Sequence, residues 1–272
     1  MNADLVHSII LGLLQGITEF LPISSSGHLI AVPWLMGWEE HTAAFDISLH
    51  LATFFAIMFY FRHDWVKILR EGLLSIKEKK IAGPLERRLF WYIIVATVPA
   101  ALAGLLAGDK VEEYFRNPVR VAVMLGLFGL VLYLADVIGK KNKLLSALTA
   151  PKSFLIGLCQ ALAIIPGVSR SGITMSGALF LGFDRESAVK FSFLLTAPII
   201  FAAGVYKINE IATLASTSLW TSFAAGFAAA FLSSVIAMHF LLKFIRSHSF
   251  VIFVIYRLMA SAVLLSMFMV RG

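Results

Sequence analysis

Two short tracts hold most of the side chains in this sequence that could do chemistry. In the first, Gln15 and Glu19 stand four residues apart, which puts them on one helical face, able to hold a divalent cation or orient a water. A few residues on, Ser24-Ser25-Ser26-Gly27-His28 offers three hydroxyls, backbone amides at a glycine, and an imidazole that titrates near neutrality. The second tract, Ser169-Arg170-Ser171-Gly172-Ile173-Thr174, sets a guanidinium among hydroxyls, a combination suited to gripping phosphate oxygens in bidentate fashion. Asp46, His50 and Arg257 add further ionisable groups. Phosphoryl transfer needs mainly positioning and charge neutralisation around an in-line nucleophile. These residues therefore read as a phosphate site: Arg170 and the hydroxyls as a clamp, Glu19 with a cation, and Ser25, or a water activated by His28, as the attacking group. Residue types alone leave the covalent and direct-water routes both open.

The surroundings of these tracts are apolar. Of 272 residues, 59% are hydrophobic and 14% charged, and the mean hydropathy is +0.86, which places the chain in a bilayer. Ionisable groups at membrane depth each cost roughly 3 kcal/mol, so a cluster of them calls for a purpose. The net charge of +7 would suggest nucleic acid in a soluble protein, but the basic residues gather in short connections between apolar runs, so no nucleic-acid partner is expected. The segment after Met1 lacks a basic leader and reads as retained rather than cleaved. Cys159, in an apolar run, reads as a small hydrophobe.

Charge-free runs such as Ala43 to Phe61, Leu89 to Gly108 and Ile211 to Leu242 are long enough to cross hydrocarbon, which takes roughly 20 residues. Eight Lys or Arg residues between Arg62 and Arg88 mark a cytoplasmic loop. Lys140, Lys141, Lys143 and Lys152 mark a second, and Lys243 with Arg246 a third, whereas Asp109 to Arg120 and Lys207 to Ser218 fall outside. This parity requires Leu5 to Trp38 and Ser153 to Phe183 each to enter and leave on one face. Pro22 and Gly27 interrupt the first hairpin, and Pro166, Gly167 and Gly172 the second.

The two hairpins also resemble one another. Gln15 to His28 parallels Gln160 to Gly172 with a one-residue difference in spacing, and each is followed by a span opening on phenylalanine, Phe45 or Phe191. The expected fold is an all-α polytopic membrane protein of six transmembrane helices plus two re-entrant helical hairpins. It forms one domain over 1–272, with inverted-topology halves at about 1–140 and 150–272 that meet in the bilayer.

At Gln15 to His28 and Pro166 to Thr174 the sequence strongly resembles the undecaprenyl-diphosphate phosphatase family, membrane phosphatases linked to bacitracin resistance, and the resemblance runs along essentially the whole chain. It implies hydrolysis of undecaprenyl diphosphate to undecaprenyl phosphate and inorganic phosphate, recycling the carrier lipid of peptidoglycan synthesis. It also implies stimulation by Mg2+ or Ca2+, with Glu19 and Gln15 as metal-facing residues, and a site open to the periplasm of a bacterial inner membrane. Glu19, His28, Ser25, Arg170 and Arg257 match its functional positions, with Ser24, Ser26, Gly27, Ser169, Ser171, Gly172 and Thr174 around the substrate. Many relatives have glutamate where Gln15 stands, so a cation here would be held more weakly. The expected partners are the polyprenyl diphosphate and membrane lipids, with a homodimer left open by the sequence. Broken hairpins in inverted repeats are also a transport architecture, so a polyprenyl-phosphate flippase is the competing reading.

Overall fold

The computed structural model describes residues 3–39, 41–207 and 220–271. Among these the chain is helical, and its one extended pairing is an isolated bridge between Lys143 and Phe183. Six helices are long and apolar enough to cross a membrane: α3 (Ala43–Tyr60), α5 (Leu85–Phe115), α6 (Pro118–Ile138), α9 (Arg185–Tyr206), α10 (Trp220–Phe244) and α11 (Val251–Arg271). Between α3 and α5 lies a charged helix, α4 (Arg62–Lys77).

Two further helix pairs break where the sequence puts Pro and Gly. The first joins α1 (Ala3–Phe20) to α2 (Ser25–Met36), and the second joins α7 (Ala150–Ala161) to α8 (Arg170–Phe180). The 12, 12 and 11 residues of α2, α7 and α8 reach only about 18 Å, well short of the hydrocarbon thickness. The structure runs α5 further than the apolar stretch suggests, through Asp109 to Phe115. Nothing in Asp-Lys-Val-Glu-Glu stops a helix, and the break waits for Asn117, whose side chain caps α6 ahead of Pro118. Of the expected outer connection Lys207 to Ser218, all but Lys207 lies outside the described residues.

Small residues set how the elements meet. Gly12 and Gly16 of α1 lie against the backbone of α10 so closely that any Cβ would strike Gly226 or Ala230. Gly157 of α7 meets α5 in the same way at Ala96, and Gln160 Nε2 donates to the Ala96 carbonyl at 3.2 Å. Thus the first helix of each broken pair is clamped to a spanning helix distant in sequence. Helices α6 and α11 pack through Gly126 and Gly129, with Ser261 Oγ donating to Ala122 O at 2.7 Å. In hydrocarbon, close backbone approach and interhelical hydrogen bonds replace the hydrophobic drive available in water.

Candidate active site

The two breaks share a local geometry. Ser24 and Ser169 are non-glycine residues at φ 76° and 73°, a sparsely populated conformation that costs of order 1–3 kcal/mol and persists only when neighbours enforce it. Each serine caps the helix that follows: Gly27 N donates to Ser24 Oγ at 3.3 Å, and Gly172 N to Ser169 Oγ at 3.1 Å. The next residue along, Ser25 in one turn and Arg170 in the other, thereby becomes the first of its helix.

Both residues converge on Glu19. Ser25 Oγ donates to Glu19 Oε2 at 2.5 Å, Gln15 Nε2 donates to the same oxygen at 2.9 Å, and Arg170 Nη2 donates to Oε1. His50 Nε2 stands 3.9 Å from Oε2, its ring oriented by Nδ1 at 2.8 Å from the Asp46 carbonyl. Glu19 is buried, and Arg170 Nη1 is buried with no hydrogen-bond partner. The site thus holds a serine hydroxyl on a carboxylate, and beside it a guanidinium edge not yet used.

A cavity of about 440 Å³ opens over this cluster. Glu19, Ser24, Ser25, Ser26, His50, Ser169 and Arg170 line its polar end, and α5 and α9 supply most of the rest, with smaller parts from α2, α3 and the chain after α7. On α5 the positions of Gly104 and Gly108 face open space, unlike the packing glycines of α1 and α7. Lys207 and Glu112, 3.5 Å apart, lie at the far end, where Tyr206 OH also donates to Asp109.

Other expected site residues sit behind this surface. His28 is bonded at both ring nitrogens, Nδ1 with Ser24 O at 2.7 Å and Nε2 with Tyr256 OH at 2.6 Å, and is not part of the lining. Arg257 is fully buried and donates to the carbonyls of Leu125, Pro22, Gly167 and Val168 at 2.9 to 3.1 Å, pinning both turns from below. Ser171 Oγ donates to Leu21 O, joining one turn to the other. Thr174 Oγ1 bonds Arg170 O and Ser192 Oγ, and Gly27 and Gly172 spend their amides on the caps. Sequence reasoning passed over Tyr256 and the cavity-lining Gln160. Their signals were Tyr256's place directly before Arg257 and Gln160's place opposite Gln15 at the start of the repeated segment.

Glu19 and Gln15 would be the residues to hold the expected cation. A carboxylate offers about four acceptor positions, and three of Glu19's are taken by Arg170, Gln15 and Ser25. Gln15 turns its amide nitrogen to Glu19 and leaves its buried Oε1 without a hydrogen-bond partner, so one neutral acceptor stays free beside the carboxylate. Among the described residues no three His, Cys, Asp or Glu side chains are grouped to hold a metal.

Comparison with known proteins agrees with the earlier resemblance. The family model described as bacitracin resistance protein BacA matches residues 8–263. The chain is 44% identical over 267 residues to a protein of Caldicellulosiruptor bescii named undecaprenyl-diphosphatase, with 98% of each covered. Proteins of the same name from Marinobacter nauticus and Geobacter sulfurreducens are 40% and 43% identical, each covered in full by 98% of this chain.

Proposed function

Since the chain belongs to the bacitracin resistance protein BacA family, we infer that it hydrolyses undecaprenyl diphosphate to undecaprenyl phosphate and inorganic phosphate, and that the Glu19–Ser25–Arg170 junction is where this happens. The observation that carries the placement is the convergence on one buried carboxylate of a hydroxyl from the first broken pair and a guanidinium from the second. The cell-wall and bacitracin-resistance roles follow from recycling the carrier lipid.

In the mechanism we propose, Arg170 Nη1 binds an oxygen of the terminal phosphoryl group, with the Ser24, Ser26 and Ser169 hydroxyls beside it at the polar end of the cavity. Ser25 Oγ attacks the terminal phosphorus while its proton passes to Glu19 Oε2. The new Oγ–P bond forms as the bridging P–O bond breaks, and undecaprenyl phosphate leaves with that bridging oxygen. A water then attacks the phosphoserine, releasing inorganic phosphate and returning the hydroxyl. The geometry favours Glu19 over His28 as the base, because the serine already donates to it. His28 and Arg257 hold the two turns in place. Glu19 and the unpaired Gln15 Oε1 would hold a Mg2+ or Ca2+, which would offset the charge of the diphosphate.

The apolar faces of α5 and α9 suit the first isoprene units. The positive-inside pattern supports placing the cavity on the periplasmic side of the inner membrane, with the two broken pairs re-entering from opposite faces. The test is phosphate release from undecaprenyl diphosphate by purified protein in detergent, where no gradient exists to drive transport. Acid-stable label transferred from the terminal phosphate to the wild-type protein, and lost in Ser25→Ala, is the expected result. Undiminished turnover by Ser25→Ala would overturn the serine route.

A further inference from the structure

Helix α4 contributes nothing to the cavity, and most of its residues past Arg62 fall into four stripes around the axis. Trp65, Ile68, Gly72 and Ser75 are buried. The Phe90 ring of α5 lies where a Cβ on Gly72 would go, and Trp91 Nε1 donates to Ser75 Oγ at 2.8 Å. Beside this stripe stand Val66, Leu69, Leu73 and Ile76, at spacings that share a face, yet 66%, 44%, 66% and 55% exposed. Then come the exposed cations Lys67, Arg70 and Lys77, with Lys79 and Lys80 just past the helix end. The acids complete the circuit on the protein side. Glu71 and Glu78 are held by Arg87 at 3.1 and 2.7 Å, and Asp64 by Lys190 at 2.7 Å.

This arrangement neutralises the acids internally and leaves the cations beside an open apolar stripe. At 16 residues α4 is too short and too charged to span, and four adjacent exposed apolar side chains are too many to leave in water. Because α3 ends at Tyr60 and α4 starts at Arg62, α4 begins where a spanning helix reaches the membrane surface. An apolar stripe bordered by cations is the pattern of a helix lying in the plane of the headgroups. Lysine and arginine stems run along the apolar surface while their charges reach outward.

We propose that α4 lies flat in the lipid headgroup region, with Val66, Leu69, Leu73 and Ile76 in the acyl boundary and Lys67, Arg70, Lys77, Lys79 and Lys80 engaging anionic phospholipid headgroups. The full chain carrying Cys159→Ala and Leu73→Cys, labelled there with a polarity-sensitive fluorophore and reconstituted into vesicles, tests this. Adding phosphatidylglycerol to phosphatidylcholine vesicles should shift the emission to shorter wavelength and raise quenching by spin-labelled lipids about threefold. High salt, or the substitutions K67E, R70E and K77E together, should abolish that difference. Retained phosphate release confirms that each variant is folded, and the salt titration needs no charge variant.

A label that remains in water in both lipids overturns the proposal. So does equal quenching with and without phosphatidylglycerol, which would mean apolar insertion with no headgroup recognition. Emission that responds to protein-to-lipid ratio but not to lipid quenchers would place a second copy of the chain on this face, and overturns it as well.

Discussion

Arg170 and Arg257 do different work, and their partners tell them apart. Arg170 meets a carboxylate and keeps one nitrogen uncommitted at the cavity, whereas Arg257 is saturated by backbone carbonyls of both turns and of α6. Removing Arg257 leaves several buried acceptors unpaired at about 1–3 kcal/mol each. Arg257→Ala should therefore lower thermal stability by more than about 3 kcal/mol and reduce the yield of folded protein. Ser25→Ala should lose phosphate release by about a hundredfold or more at nearly unchanged melting temperature, because the serine hydroxyl donates to Glu19 while the helix cap is made by Ser24. Arg170→Lys keeps the charge but not the planar fork, so kcat/KM should fall by about ten- to a hundredfold with the fold intact. Melting curves beside phosphate release separate the three. If Arg257→Ala melts like wild type, its role at the turns is wrong.

Helices and breaks were largely legible in the sequence, because membrane depth makes both apolar runs and misplaced charges conspicuous. Positive charge marked the connections, and Pro22, Pro166 and Gly167 fall in the two interruptions seen, whereas Gly27 and Gly172, also expected to break the chain, stand in the first turn of the helices that follow, where each amide serves the cap. What the sequence did not separate was the face of each polar residue. His28 lies three residues past Ser25 yet turns to Tyr256, 228 residues away, and Arg257 finds acceptors that any residue type could supply. Local spacing carries no trace of either choice. Two element-level outcomes follow from the breaks and the helix seams. Ser24→Ala and Ser169→Ala each remove a cap, which should cost about 1 kcal/mol in a denaturation midpoint, with glycine at either position costing only a few tenths. Gly16→Val drives a branched side chain into the α10 backbone near Ala230. It should prevent α1 from docking and abolish folded protein in a detergent size-exclusion assay, whereas Gly104→Ala, facing open space, should leave the folded yield unchanged.

For the whole molecule, the orientation in the bilayer decides whether the cavity meets a lipid diphosphate from outside the cell. The eight cations between Arg62 and Arg88 and the lysines from Lys140 to Lys152 fall at one end of the helices. The far end of the cavity, with Asp109, Glu112 and Lys207, lies at the other end of α5 and α9. The cation bias sets orientation through the short loops flanking the spans, so the second end should be periplasmic. Tyr114 is exposed there, and Lys80 is exposed in the basic loop. In a Cys159→Ala background, Tyr114→Cys should react with a membrane-impermeant maleimide in cells whose outer membrane alone is opened. Lys80→Cys should react only after the inner membrane is also breached. The reverse pattern would put the cavity on the cytoplasmic side, where a diphosphate left on the outer leaflet could reach Arg170 only after crossing the bilayer, and hydrolysis would then have to follow transport rather than precede it.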